Sequence, residues 1–136
     1  MARPTEGGAP LHTRSAWGYL SPEEYDDIVA DGLSRLHPPI RPGASVFELG
    51  CGVGAALRVI SKLVPGVRTA GCDISSTAIG VAREALPSGS FVVAGMTSAI
   101  PAVPDHSYDH VLSFGALAMY LLRDEMGAAI REALRI

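Results

Sequence analysis

Val46-Phe47-Glu48-Leu49-Gly50-Cys51-Gly52-Val53-Gly54 carries an apolar run into three alternating glycines, with a carboxylate two residues before the first. Apolar residues resume at helical spacing with Leu57, Ile60, Leu63 and Val64, and Lys62 is the polar break. The pattern predicts a buried strand, a tight turn and a helix start. Glycine suits that turn because it tolerates positive φ and, lacking a Cβ, lets a ligand lie against the backbone. The unpaired N–H groups of the helix start then face that ligand.

Working outward, Ser21-Pro22-Glu23-Glu24 reads as a helix start, with a serine cap, proline at the first position and glutamate at the third. Tyr25, Ile28, Val29, Leu33 and Leu36 share one face, and Pro38-Pro39 stops the helix. From there strands and helices alternate. Strands are expected at Ser45–Leu49, Thr69–Cys72, Phe91–Ala94 and Tyr108–Phe114. Helices are expected at Gly54–Val64 and Ser76–Leu86. A last helix from about Asp124 turns Met126, Ile130, Ala133 and Leu134 inward. Connections this short imply an α/β fold with a parallel sheet and flanking helices, whose ligand site lies at the carboxyl ends of the strands. Glu48, the glycine turn, Asp73, Gly95-Met96 and Ser113 all fall on that edge.

The chain of 136 residues suits one domain. Residues 1–16 read as a flexible leader, 17–136 as the domain and 41–136 as its core. With 48% hydrophobic and 18% charged residues, the composition argues against disorder. A formal charge of −3 gives no electrostatic case for nucleic acid or an anionic membrane, so neither is expected as a partner. No signal peptide is read at Met1–Pro10, and the apolar run Val111–Leu122 is too short to span a bilayer. Cys51 and Cys72 form no C-x-x-C pair and have no nearby histidines, so no metal site is expected. They fit reduced packing residues of a cytoplasmic protein.

The glycines by themselves leave two cofactors open. Gly50-x-Gly52-x-x-Ala55 with Asp73 downstream satisfies the dinucleotide fingerprint, which would make the chain a nicotinamide oxidoreductase domain. Glu48 points elsewhere, since a carboxylate near the loop suits a cationic ligand rather than a pyrophosphate. It could equally be a strand-end carboxylate held by neighbouring backbone N–H groups. Asp73 can accept both ribose hydroxyls or act as a turn residue before the next helix, where Ser75 and Ser76 could also cap.

As a set, four motifs in order decide between these. Glu48-x-Gly50-x-Gly52-x-Gly54, Asp73, the segment Phe91–Pro101 and the run Asp105–Ser113 with Tyr108-Asp109-His110-Val111 resemble the Rossmann-like (class I) S-adenosylmethionine-dependent methyltransferases of the type 11/25 kind. The resemblance covers about Arg41 to Ser113. It implies an incomplete Rossmann-like sheet of about four strands, since the family domain continues past the position of Ile136, so a truncated product or isoform is expected. It also implies S-adenosylmethionine as cofactor, bound by Glu48, Gly50, Cys51, Gly52, Gly54, Asp73, Ile74, Met96, Thr97 and Ser113. The glycine turn would line the methionine part, Glu48 would sit near its amino group and Asp73 would hold the ribose.

The family often places an acid that bonds the adenine amino group where this chain has Met96, a poor acceptor; Thr97, Ser98 or backbone groups would substitute. The polar-Pro-Pro-aromatic tetrad of base-methylating enzymes is absent at Ser113-Phe114-Gly115. The expected acceptor is therefore a small molecule. Asp109 is expected to be structural, His106 solvated and His110 packed in the strand. Trp17, Tyr19 and Tyr25 would form a lid or pack the first helix. No catalytic residue is singled out, because methyl transfer from an activated sulfonium depends on alignment. A non-catalytic module acting through an open sheet edge is the alternative.

Overall fold

The computed structural model describes residues 20–114, 116 and 121–136. The leader 1–16, Trp17, Tyr19 and Gly115 lie outside the described residues. The elements are α1 (Pro22–Ser34), β1 (Ser45–Leu49), α2 (Ala55–Leu63), β2 (Arg68–Asp73), α3 (Ser76–Ala85), β3 (Ser90–Val93), β4 (His110–Leu112) and α4 (Arg123–Arg135). The strands form one parallel sheet in the order β3-β2-β1-β4. Parallel neighbours need crossovers, and α2 and α3 supply them.

β1 is central and buried along its whole length, as a strand covered on both faces must be. Its side chains alternate between two layers. Val46 packs with Leu57 and Ile60 of α2 and with Ile79 and Ala82 of α3. Phe47 and Leu49 face the other way, against Ile100 and Ile136. The Phe47 ring meets Tyr108 edge-on, with centroids 5.1 Å apart. Register pairs Leu49 with Cys72 and Glu48 with Leu112, which brings the tips of β1, β2 and β4 to one edge.

α1 starts as the sequence requires. Ser21 Oγ accepts the Glu24 N–H at 3.2 Å, and the Glu24 carboxylate accepts the Ser21 N–H at 2.7 Å. Tyr25 and Val29 are buried against Ala55, Ala56 and Val59 of α2, whereas Ile28 is 40% exposed. The helix ends at Ser34, before the prolines. Tyr25 thus packs the first helix on α2.

Two expectations fail here. β4 spans only His110–Leu112, because its pairing partner is Val46–Glu48 and its flanks bond otherwise. Asp109 donates its N–H to the Ser45 carbonyl, and its carboxylate accepts the Ser45 N–H and Oγ–H, each at 2.8 Å. Asp109 is therefore structural, and those bonds hold its carboxyl below the usual range. The inward face of α4 is also different. Ile130 and Leu134 are 47% and 73% exposed, while Ala129 and Glu132 are buried. The rotation follows from Glu132, whose carboxylate accepts the Ile100 N–H at 2.8 Å and pairs with Arg135. A buried charge so satisfied fixes the helix face against apolar preference. Ala133 still packs on the Phe47 layer, and Met126 is half-buried.

His106 is exposed with positive φ, and its N–H donates to the Arg135 carbonyl. His110 is half-buried in β4. Cys51 and Cys72 are free and buried, with burial raising both thiols, Cys72 to about 11. Among the described residues no helix is long and apolar enough to cross a membrane.

Candidate cofactor site

At the carboxyl edge of β1, β2 and β3 lies a cavity of about 550 Å³. Its floor is Gly50 and Gly52. One wall is the β2 tip (Asp73, Ile74, Ser75) with Ala78 of α3. Another is the segment after β3, Ala94–Thr97, and Ala116, Leu121 and Glu125 close it.

The glycine turn is built by left-handed backbone, with φ of +68° at Gly50, +53° at Gly52 and +78° at Gly54. The three glycines serve different ends. A Cβ on Gly50 would meet the Ala116 Cβ at 2.4 Å and the Met96 Cε at 3.0 Å, so its hydrogen allows two other walls to close. A Cβ on Gly52 would meet nothing within 4 Å, which leaves backbone open beside the cavity. A Cβ on Gly54 would lie 3.4 Å from Ala82 and 3.5 Å from Leu86, so this glycine sets the approach of α3.

Asp73 organises the turn. Its Oδ2 accepts the Gly52 N–H at 2.9 Å and its Oδ1 accepts the Ser75 N–H at 2.9 Å. A carboxylate oxygen has a second lone pair, so both remain able to accept from a ligand hydroxyl. Ser75 caps α3 through the Ala78 N–H. Ile74 stands 79% exposed beside Asp73, a large apolar side chain at the cavity wall.

The expected residues therefore separate. Gly50, Gly52, Asp73, Ile74, Met96 and Thr97 are brought together around the cavity. Glu48, Cys51, Gly54 and Ser113 stand outside its lining. Cys51 packs where a Cβ on Gly71 would meet its Sγ at 2.9 Å, a close strand approach that the sequence pattern did not reveal. Ser113 Oγ donates to the Leu49 carbonyl at 3.2 Å.

Glu48 is 3% exposed and points, by alternation with Phe47 and Leu49, to the layer of α1–α3. Its carboxyl accepts the Phe114 N–H, and its Oε2 has no hydrogen-bond partner among the described residues. Burial pushes its pKa up to about 8, against the pull of the Phe114 N–H, and Asp73 adds to the rise. Glu48 in turn adds to the burial that raises the Tyr25 phenol. The arrangement is that of a strand-end carboxyl held by backbone. Phe114 also packs on α1, its ring 3.2 Å from where a Cβ on Gly32 would stand. Glu48 thus pins the chain that carries Ala116 over Gly50.

Ala78, Ala116, Leu121 and Glu125 were not legible as site residues. Only Glu125 carries a local signal, since its carboxylate accepts the Leu122 N–H at 2.8 Å at the start of α4.

Comparison with known proteins places this geometry. A family described as a methyltransferase domain matches residues 46–136. The chain belongs to the class I S-adenosylmethionine-dependent methyltransferase family. The domain is similar to trans-aconitate 2-methyltransferase of Paracidovorax citrulli, 35% identical over 51% of this chain and 26% of that protein. It is similar to the mouse protein named "Probable tRNA methyltransferase 9B", 29% identical over 92% of this chain and 27% of that protein. Among solved structures it resembles a methyltransferase chain in complex with the Trm112 methyltransferase activator of Haloferax volcanii. That match has a TM-score of 0.63 and 30% identity, covering 83% of this chain and 55% of that one. The domain spans about a quarter of the curated relatives it matches.

One expectation is overturned by these relatives. A charge of −3 gives no electrostatic case for nucleic acid and none is expected from it, yet a relative matching 92% of this chain is named for tRNA. Net charge is a poor guide because a domain matching about a quarter of such a protein does not report the charge of its remaining surface.

Proposed function

We propose that the domain binds S-adenosylmethionine in the Gly50–Asp73–Met96 cavity and serves methyl transfer. The observation that carries this is Asp73, which braces the glycine turn through Oδ2 and the Ser75 N–H through Oδ1 and still lines the cavity. The residues suit the group. The volume is in the range of small-molecule sites, and Gly52 leaves bare backbone at the floor. When bound, the cofactor supplies an already activated methyl on a sulfonium. In this reading Asp73 holds the ribose hydroxyls, the glycine turn receives the methionine part, and Ile74 and Met96 enclose the base. Glu48, outside the lining, is a positioning residue that holds Phe114 and so the Ala116 wall. Gly54, Cys51 and Ser113 keep the turn and the β4 end in register. No acid–base pair is required, because catalysis of this transfer is alignment and exclusion of water.

Titration calorimetry with S-adenosylmethionine, S-adenosylhomocysteine and NADH tests the reading. Binding of the first two without NADH is expected. Binding of NADH, or of none of the three, overturns it.

For the acceptor we propose a small molecule, on the strength of the trans-aconitate methyltransferases among the relatives. A tRNA acceptor is the second reading, favoured by the tRNA-methyltransferase relatives that match most of this chain. Transfer of labelled methyl to trans-aconitate or to unfractionated tRNA separates the two.

A further inference from the structure

Two carboxylates from opposite layers line the cavity. Asp73 arrives on β2 and Glu125 on α4, and among the described lining residues they are the two charged side chains. The packing of α4 explains why Glu125 is there. Glu132 accepts the Ile100 N–H at 2.8 Å. One turn earlier, Ala128 borders a hollow shared with Thr97, Ser98 and Ala99. Glu125 stands three residues before Ala128 and seven before Glu132, on the same helix face. That face runs along the segment from Ile100 back to Thr97, and Thr97 and Glu125 line the cavity together. Glu125 Oε2 accepts the Leu122 N–H at 2.8 Å, which holds the carboxylate at the start of the helix.

We propose that Glu125 is a specificity-determining residue of this cavity, whose negative charge favours a sulfonium nucleoside over the neutral thioether that remains after methyl transfer. It rests on the cofactor reading. S-adenosylmethionine and S-adenosylhomocysteine share their amino and carboxylate groups, so they differ by one methyl and one positive charge. A hollow of about 550 Å³ is about 8 Å on a side, one Debye length at physiological salt. A charge on a ligand that fills it is therefore only partly screened from Glu125, wherever the sulfur lies. Asp73 is committed to the Gly52 and Ser75 N–H groups, whereas Glu125 has one oxygen in its cap and a charge at the rim. Glu125 is exposed, so the preference it adds is modest and salt-sensitive. Its effect is to help the spent ligand give way to the charged one.

The test is calorimetry on the full chain with the two ligands, read as the ratio of their affinities. Glu125→Gln keeps an amide oxygen to accept the Leu122 N–H and removes the charge. It should lower the preference for S-adenosylmethionine by about threefold or more at low salt, with S-adenosylhomocysteine changed by less than about twofold. The methyl is common to native and variant measurements, so the change in ratio isolates the charge. Asp124→Asn removes a charge from the same turn outside the lining and should change the ratio by less than Glu125→Gln does. The native ratio should also fall as salt is raised to about 0.5 M, a reading that needs no variant to fold. A flat native ratio, an equal loss for both ligands in Glu125→Gln, or an equal change in Asp124→Asn overturns the proposal. Failure of the native protein to bind either ligand removes the cofactor reading itself, a result distinct from all three.

Discussion

Asp73 Oδ2 accepts the backbone N–H of Gly52 at 2.9 Å, tying the tip of the second strand to the turn that follows the first. The contact joins the ends of adjacent parallel strands and fixes the height of the cavity floor against its wall. Asp73 is therefore a brace before any ligand arrives.

Removing that brace should show in two measurements. Asp73→Ala leaves the Gly52 and Ser75 N–H groups without their acceptor, which should cost about 1–3 kcal/mol in denaturant melts. Cofactor affinity should fall by about tenfold or more, as expected for a charged hydrogen-bond partner. Asp73→Asn should recover part of the stability and less of the affinity. Equal recovery of both would argue that Asp73 has only a structural role.

The first two glycines of the turn should respond differently. Gly50→Ala places a methyl 2.4 Å from the Ala116 Cβ at a φ of +68°, so loss of folded protein is expected. Gly52→Ala meets nothing within 4 Å and carries only the positive-φ strain, about 1 kcal/mol. Its cost should appear in binding, where the new methyl occupies the ligand's side of the backbone. A Gly52→Ala protein that stays folded, destabilised by about 1 kcal/mol of strain, but fails calorimetry is the expected result.

Glu48 makes stability depend on pH with a definite sign. Its pKa is raised from 4.5 to about 8 on folding, so the folded state holds a proton that the unfolded state releases. The associated stability is complete below about pH 4.5 and is lost as pH rises through about 8. Glu48→Gln keeps the shape without the titration and should flatten that window in melts taken from pH 5 to 9. Asp109, whose pKa is lowered, works in the opposite sense, and its contribution is lost only as pH falls through its folded pKa. An unchanged slope in Glu48→Gln would place the titration elsewhere.

Core packing offers a control remote from the cavity. Leu57 is fully buried among Val46, Ile60 and Ile79, and Leu57→Ala should cost about 2–5 kcal/mol by cavity creation. Cofactor affinity, measured where the variant is folded, should stay near the native value.

Much of this architecture was legible in local pattern. Ser45–Leu49 is the strand that an apolar run bounded by turn residues demands, and Ser21 with Glu24 forms the reciprocal cap its spacing announces. Gly50, Gly52 and Asp73 meet at the cavity because strand ends in a parallel sheet share one edge. The buried face of α4 is not given by its apolar spacing, because Glu132 is buried on the strength of Ile100 and Arg135 and no periodicity of apolar residues records a satisfied charge. β4 is shorter than the apolar run around it suggests, because Asp109 and Ser113 at its flanks bond to Ser45 and Leu49 through their side chains.

The amino-acid sequence alone determined the alternation of strands and helices, the glycine turn and the acid after the second strand, since each depends on neighbours within a few residues. Only the tertiary structure decided what each motif residue does. Glu48 and Asp73 both belong to the motif set, yet one is buried behind Phe114 and the other lines the cavity. Side-chain direction follows strand alternation and sheet register, and the partners that fill each direction, Phe114 for Glu48 and Ala116 for Gly50, arrive from more than 60 residues away in the chain. Contacts at that separation exist only once the sheet has formed.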